Sequence, residues 1–188
     1  MPRDGRTDGV GTVHRDDLRL TVELRSVTAG ARRRAVRDGD DRVDTAHLLH
    51  SLLENDPRAR EAVDGAAGGG QAARVLGYLV QRSIGYGMRW RDAVEDSGAL
   101  SVLTPLGAPG WSPAATTAIG AAVARAHERG VAQADGGDLL AALLADPACR
   151  AVEVLRAAGV DPERLPARPP AQRAGDDSRY WGDGPVVS

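Results

Sequence analysis

The sequence predicts an all-α fold made of two pseudo-symmetric helical repeats, with four helices in the first and a truncated set in the second. Three observations carry this. Val43-Asp44-Thr45-Ala46-His47-Leu48-Leu49-His50-Ser51-Leu52-Leu53 and Ala134-Asp135-Gly136-Gly137-Asp138-Leu139-Leu140-Ala141-Ala142-Leu143-Leu144 are written alike: a small polar cluster, then paired leucines four residues apart. The same offset lays Leu20 on Trp111, Thr21 on Ser112, Ala31 on Ala122, Ala35 on Ala126 and Gly39 on Gly130. After a one-residue slip Asp56-Pro57 falls on Asp146-Pro147, and with the slip undone Ala66-Ala67-Gly68 falls on Ala157-Ala158-Gly159. Caps, stops and helix starts recurring in one order mark an internal duplication. Finally, phenylalanine is absent and aromatics make up 3% of the chain. The core must then come from Leu, Val and Ala, which suits closely packed helices.

The first 17 residues, rich in Gly, Asp and Arg without apolar periodicity, read as a disordered lead. Thr21 is placed to cap a helix, with Glu23 in its first turn where a carboxylate suits the helix dipole. Leu24, Val27, Ala31 and Ala35 follow at helical spacing. Arg32-Arg33-Arg34 and Arg37 fall toward the C-terminal end, where cations offset the dipole, and Gly39 supplies the stop. The leucine helix is expected from Thr45 to Glu54, its leucines lining one flank. Asp56-Pro57 opens the third helix, with proline where its missing N–H is harmless. Gly68-Gly69-Gly70 breaks the chain before a fourth helix over 71–83, whose apolar side is Ala72, Val75, Leu76, Leu79 and Val80.

Residues 84–110 read as a linker between the repeats, with Tyr86, Met88 and Trp90 interleaved with Arg89 and Arg91. The second repeat, 111–165, opens at Trp111 with Ser112 as cap and Pro113 as first helical residue. Ala115, Ala118, Ile119, Ala122, Val123 and Ala126 make its buried face, and Gly130 ends it. The second leucine helix starts near Gly136. Asp146-Pro147 is expected to open a third helix, with Cys149 early in it as a buried or half-buried thiol and Val152, Leu155 and Ala158 inward. Pro166, Pro169 and Pro170 stand where a fourth helix would follow. Residues 166–188 therefore read as a mobile tail.

Composition narrows the function. The 188 residues suffice for one domain with tails. A net charge of −2 gives no bulk reason to expect nucleic acid or an anionic membrane as partner. All 24 basic residues are arginine, the signature of a high-G+C bacterial genome. The polar start and the absence of a long apolar run point to a cytoplasmic protein. His47 and His50 are one turn apart, but zinc needs three or four convergent ligands and no Cys or further His is placed to complete the set. The absence of lysine excludes a Walker phosphate loop at the glycine run. No nucleophile elbow is present, and Ser51 and Ser112 have helix-surface and capping explanations. The expectation is a protein that is not an enzyme, with no cofactor and no metal. Two competing classes are a helical regulator binding nucleic acid, which needs a basic face, and an enzyme of unrecognised type, which needs a polar cleft.

The order of motifs over residues 18–165 resembles the Clp N-terminal (Clp repeat) domain at the front of the ClpA and ClpC unfoldases. Each repeat of that family opens with a motif like Phe-Thr-Pro-x-Ala and continues to Gly-Thr-Glu-His-Ile-Leu-Leu-x-Leu. Here the openings are Leu20-Thr21-Val22-Glu23-Leu24 and Trp111-Ser112-Pro113-Ala114-Ala115, and the later motifs Asp44-Thr45-Ala46-His47-Leu48-Leu49 and Asp135-Gly136-Gly137-Asp138-Leu139-Leu140. The resemblance implies two four-helix repeats packed together and a module recognising substrates and adaptors for an ATPase ring. It implies a structural role for His47. Lacking the ring modules, such a chain is expected to act as a stand-alone adaptor, decoy or sequestering protein. Its partners would be peptide or protein clients, Clp unfoldase or protease components, or cyclic peptide antibiotics of the cyclomarin type. The implied site lies at the starts of the two first helices: Leu20, Thr21 and Arg25 from one, Trp111, Ser112, Thr116 and Ile119 from the other. Trp111 stands for an aromatic anchor, Arg25 is retained, and Thr116 replaces a basic residue. Some members bind phosphoarginine through the Glu of the Gly-Thr-Glu-His motif. Ala46 and Gly137 stand at those positions here, so that binding is expected to be weak or absent.

Overall fold

A computed structural model describes residues 19–65, 69–84 and 109–166. The expected lead (1–17), nearly all of the 84–110 linker and the tail beyond residue 166 lie outside these described residues. Seven helices and two short strands follow in order: α1 Val22–Asp38, β1 Arg42–Val43, α2 Thr45–Asn55, α3 Pro57–Gly65, α4 Gln71–Ile84, β2 Gly110–Trp111, α5 Pro113–Glu128, α6 Gly136–Leu144 and α7 Arg150–Ala157. A 3₁₀ turn, Pro162–Arg164, stands where a fourth helix of the second repeat would begin. The fold is all-α with a duplicated plan.

The duplication is visible in the caps. Thr21 Oγ1 accepts the Leu24 N–H at 3.2 Å, and Ser112 Oγ accepts the Ala115 N–H at 3.1 Å, each filling one of the orphan donors at a helix start. Asp44 and Asp135 cap the two leucine helices in the same way, accepting from His47 N–H and Asp138 N–H at 2.9 and 3.0 Å. Gly39 and Gly130 follow α1 and α5 with the same left-handed φ of 74°, a conformation that costs glycine nothing.

Each first helix is held by the opposite repeat. β1 and β2 pair in parallel, Val43 opposite Trp111, and the Ser112 N–H donates to the Val43 carbonyl at 2.9 Å. Leu20 forms the matching parallel bridge with Ala134, and the Thr21 N–H donates to the Ala134 carbonyl at 3.0 Å. These two contacts exchange under the internal duplication. The polypeptide is sewn across its own pseudo-twofold axis twice.

The core is built around α2 and α6. Every residue from Thr45 to Leu53 is buried, as is every residue from Gly136 to Leu143. The leucines line one flank, as their spacing requires, but the other faces are buried too, because these helices are covered by neighbours on all sides. α1 and α5 lie on α2 and α6 respectively, while α3, α4 and α7 close the remaining sides of α2. Seven leucines of these two helices are almost wholly withdrawn from solvent.

Other expectations are corrected. Asp146-Pro147 does not open a helix. The Asp146 carboxylate accepts the Ala148 N–H at 3.0 Å in a tight turn, and α7 begins only at Arg150. Cys149, at the cap, is buried but offers no side-chain cap, so the Thr45 hydroxyl of α2 accepts the Ala151 N–H instead, at 3.1 Å. In the first repeat Asp56 does open α3, accepting from Arg58 and Ala59 N–H at 2.9 and 3.3 Å. Val80 is exposed at the edge of the α4 stripe, and the buried side is Gln71, Ala72, Val75 and Leu79. Ile119 and Val123 of α5 and Ala158 beyond α7 are only partly buried, while Ala151 and Val154, absent from the expected inward set, are fully buried. Of the four arginines assigned to the dipole of α1, only Arg37 lies in the last turn.

Close packing gives one glycine a second role. A methyl group on Gly136 would collide with the Asp56 carboxylate and come within 3.0 Å of Leu52 Cδ1. Gly120, in the middle of α5, is exposed with nothing nearby. Gly136→Ala should therefore lower unfolding stability by about 1–3 kcal/mol, while Gly120→Ala raises it by about 0.5–1 kcal/mol. Urea denaturation of both variants checks the pair of signs.

Candidate functional site

The residues indicated by the resemblance fall at the two stitched helix starts. Leu20 is buried beneath its bridge to Ala134, and Thr21, half-buried, caps α1. Arg25 lies half-buried in the first turns of α1. Across the molecule Trp111 is half-buried on the core beside Val43, and Ser112, fully buried, caps α5. The Thr116 hydroxyl is exposed and donates back to the Ser112 carbonyl at 3.0 Å. Ile119 packs against the core edge. The repeats are joined through α2, α6, α7 and the two strand pairings rather than by broad packing of α1 on α5. The backbones of Leu20 and Thr21, and of Trp111 and Ser112, are thus fixed to the opposite repeat.

Two arginines were not assigned to the site by the sequence. The guanidinium of Arg32 lies over the Trp111 ring, 4.6 Å from its centroid, bringing α1 of the first repeat to the anchor of the second. Such a stack over an indole is worth about 0.5–1 kcal/mol at an exposed site. Arg34, next but one, instead turns inward to Glu54 at 2.5 Å. The sequence signal was the basic run itself, read there as dipole compensation.

A second polar centre lies beneath, at the start of α2. His47 Nδ1 is 2.7 Å from Asp44 Oδ1, and Nε2 is 3.2 Å from Asp40 Oδ2 and 3.9 Å from Asp38 Oδ2. Asp44 Oδ2 accepts from Arg150 Nη1 of α7 at 2.7 Å. Burial opposes charge on His47, but the hydrogen bonds to Asp40 and Asp44 and their negative charge outweigh it and raise the imidazole to about 9. Burial likewise opposes ionisation of Asp44, yet His47 and then Arg150 hold it at about 2. At neutral pH His47 and Asp44 are held as an ion pair, with His47 Nδ1–H donating to Asp44. In the neutral imidazole Nδ1 would instead accept the Asp44 N–H, 3.2 Å away, completing the capping box.

The equivalent of Asp38 and His47 in the second repeat is Arg129 and Asp138. Arg129 donates to both carboxylate oxygens of Asp138, the Nη2–Oδ2 bond measuring 2.8 Å. Position is kept and polarity is reversed. His50 behaves differently from His47: burial first, and the neighbouring Arg34 cation next, push its imidazole down to about 4. Its Nε2 has no hydrogen-bond partner and faces Glu54 Oε1 at 3.4 Å. Among the described residues no group of three metal-ligating side chains converges, and no helix is long and apolar enough to cross a membrane.

The overall arrangement matches solved structures. The N-terminal domain of the protease-associated chaperone ClpD from Arabidopsis thaliana superposes with a TM-score of 0.54 at 19% identity, covering 77% of this chain and 88% of that one. The chain has the Clp N-terminal fold. A structure from preliminary structural investigations of a malarial protein secretion system superposes similarly, with a TM-score of 0.53 at 16% identity over 78% of this chain and 88% of that one. No protein-family model and no curated protein sequence matches the chain.

The two histidines bracket the stability optimum. His47, raised in the folded state, contributes fully below the ordinary histidine value of about 6.5, and its contribution is lost as pH rises through about 9. His50, depressed when folded, contributes above that ordinary value, and its contribution is lost as pH falls through about 4. Unfolding free energy should peak near neutrality and decline by about 2–3 kcal/mol on the alkaline side. His47→Gln should flatten that alkaline limb. Denaturant titrations from mildly acidic to alkaline pH check it, and a flat profile in the parent protein would overturn the assignment.

Proposed function

We propose that this protein is a non-catalytic peptide- and protein-binding module that works as the Clp N-terminal domains of unfoldases do. It engages clients, adaptors or cyclic peptides at the starts of its two first helices. Thr21 and Arg25 line one side of the site and Trp111, Thr116 and Ile119 the other, while the buried Leu20 and Ser112 hold the two helix starts in place from beneath. Trp111 carries the reading: a half-buried tryptophan, paired through its backbone with Val43 of the opposite repeat and packed on the core, offers the part of its ring that Arg32 does not cover. Rigid aromatic groups of this kind supply a large share of binding energy at protein surfaces.

Binding rather than catalysis is favoured by the commitments of the buried polar groups. Ser51 donates to the Val27 carbonyl at 2.8 Å, Ser112 caps α5, and His47 and Asp44 hold the ionic chain to Arg150. None is left poised as a nucleophile with its base. Acting in trans as an adaptor, competing for clients as a decoy, and sequestering a cyclic peptide are three uses of the same surface.

Isothermal calorimetry with a cyclomarin-type cyclic peptide tests the site. Saturable binding is expected, weakened by about 2 kcal/mol or more, roughly thirtyfold, in Trp111→Ala. Binding that is indifferent to Trp111 would place the site elsewhere. Free phosphoarginine should show no saturable binding at micromolar concentrations, because neither Ala46 nor Gly137 offers a carboxylate to a guanidinium.

A further inference from the structure

The outer side of α1 carries cations that the fold does not use. Arg34 pairs with Glu54, Arg37 with Asp38, Arg129 with Asp138 and Arg150 with Asp44. Arg25, Arg32 and Arg33 have no carboxylate partner among the described residues, and Arg32 and Arg33 are exposed. Arg25 and Arg32 are seven residues apart and so share one side of the helix. Only Arg32 is held in place. Its guanidinium carbon lies over the Trp111 ring, 4.6 Å from the centroid, and no acid pairs with it among the described residues. A guanidinium held against an aromatic ring and lacking an acid partner can take a carboxylate bidentately.

We infer that Arg32 and Trp111 form a composite subsite for an acidic peptide segment, in which a Glu or Asp side chain pairs with Arg32 while an adjacent apolar side chain packs on the free part of the Trp111 ring. This rests on the proposed peptide-binding role of the Trp111 seam and adds its selectivity. Arg32 is a specificity-determining residue: it favours acidic–apolar sequences and rejects basic ones, which would bring a second cation against it. Arg25, two turns away on the same side, extends the positive track for a further acid. Because the stacked arginine is already ordered, little of its side-chain freedom remains to be lost on pairing.

The probes are two linear peptides, Ac-Gly-Phe-Glu-Phe-Gly-amide and its Gln counterpart, titrated calorimetrically into the full chain at low salt. The Glu peptide is expected to bind about tenfold more tightly than the Gln peptide. In Arg32→Gln the ratio of the two affinities should fall to about one, whatever happens to their common level, and Arg32→Lys should restore part of the preference. Circular dichroism confirms that the variants keep their helices. Equal binding of the two peptides to the parent chain, or a preference that persists in Arg32→Gln, overturns the inference and leaves the binding seam intact. A cyclic peptide that binds through Trp111 while neither linear peptide does also overturns it alone. If no probe binds through Trp111, the seam itself is not a peptide site and both readings fall together.

Discussion

One buried carboxylate joins the two halves of this molecule. Asp44 caps α2, receives the imidazolium of His47 on one oxygen and binds Arg150 of α7 on the other. A buried anion without such partners would cost several kcal/mol, and removing any one partner leaves the others stranded in a poor solvent. The arrangement fixes orientation as much as it stabilises. Aliphatic helices can slide or rotate against each other at small cost, but an Asp–Arg contact of 2.7 Å between α2 and α7 holds only in one register. The neighbouring bond from the Ala151 N–H to Thr45 repeats the constraint, one residue along on each helix. With α2 buried on every side, these polar contacts decide how the other helices meet it.

The two repeats reach the same geometry by different chemistry. In the first, Asp38 and Asp40 at the end of α1 face His47. In the second, Arg129 at the end of α5 faces Asp138. What has been kept is an opposite-charge contact between the end of one helix and the start of the next, with the sign interchanged. The same holds for capping, where threonine in one repeat answers serine in the other, and for the tight αL stops at Gly39 and Gly130. Superposable structures at 16–19% identity follow from this: the fold asks for a bond at each place, and many residue pairs can make it.

Features local in sequence were legible in advance. Thr21, Ser112 with Pro113, Asp56 with Pro57, and the two positive-φ glycines announced their helix boundaries because the chemistry of each lies within a few residues. Asp146-Pro147 misled, since the dipeptide that opens α3 also makes a plain turn, and the cap of α7 comes from Thr45 in the other repeat. Burial of the remaining faces of the leucine helices could not be read, because burial of a central helix is set by neighbours that periodicity does not see. The same applies to the basic run of α1. Arg32, Arg33 and Arg34 look equivalent on paper, yet one lies over an indole, one has no acid partner among the described residues and one reaches Glu54. Their fates depend on partners far along the chain.

The reciprocal stitching, Val43 to Trp111 and Leu20 to Ala134, has a kinetic corollary. Neither first helix can take its final seat until the other repeat has supplied a strand, so a half-molecule has open backbone donors and acceptors where its partner should be. Both contacts join residues distant in sequence, and each must close a long loop before it returns any favourable energy. During synthesis the first repeat leaves the ribosome with Val43 unpaired and must wait for Trp111. The domain therefore matures as one cooperative unit rather than as two beads in succession, despite having been written twice.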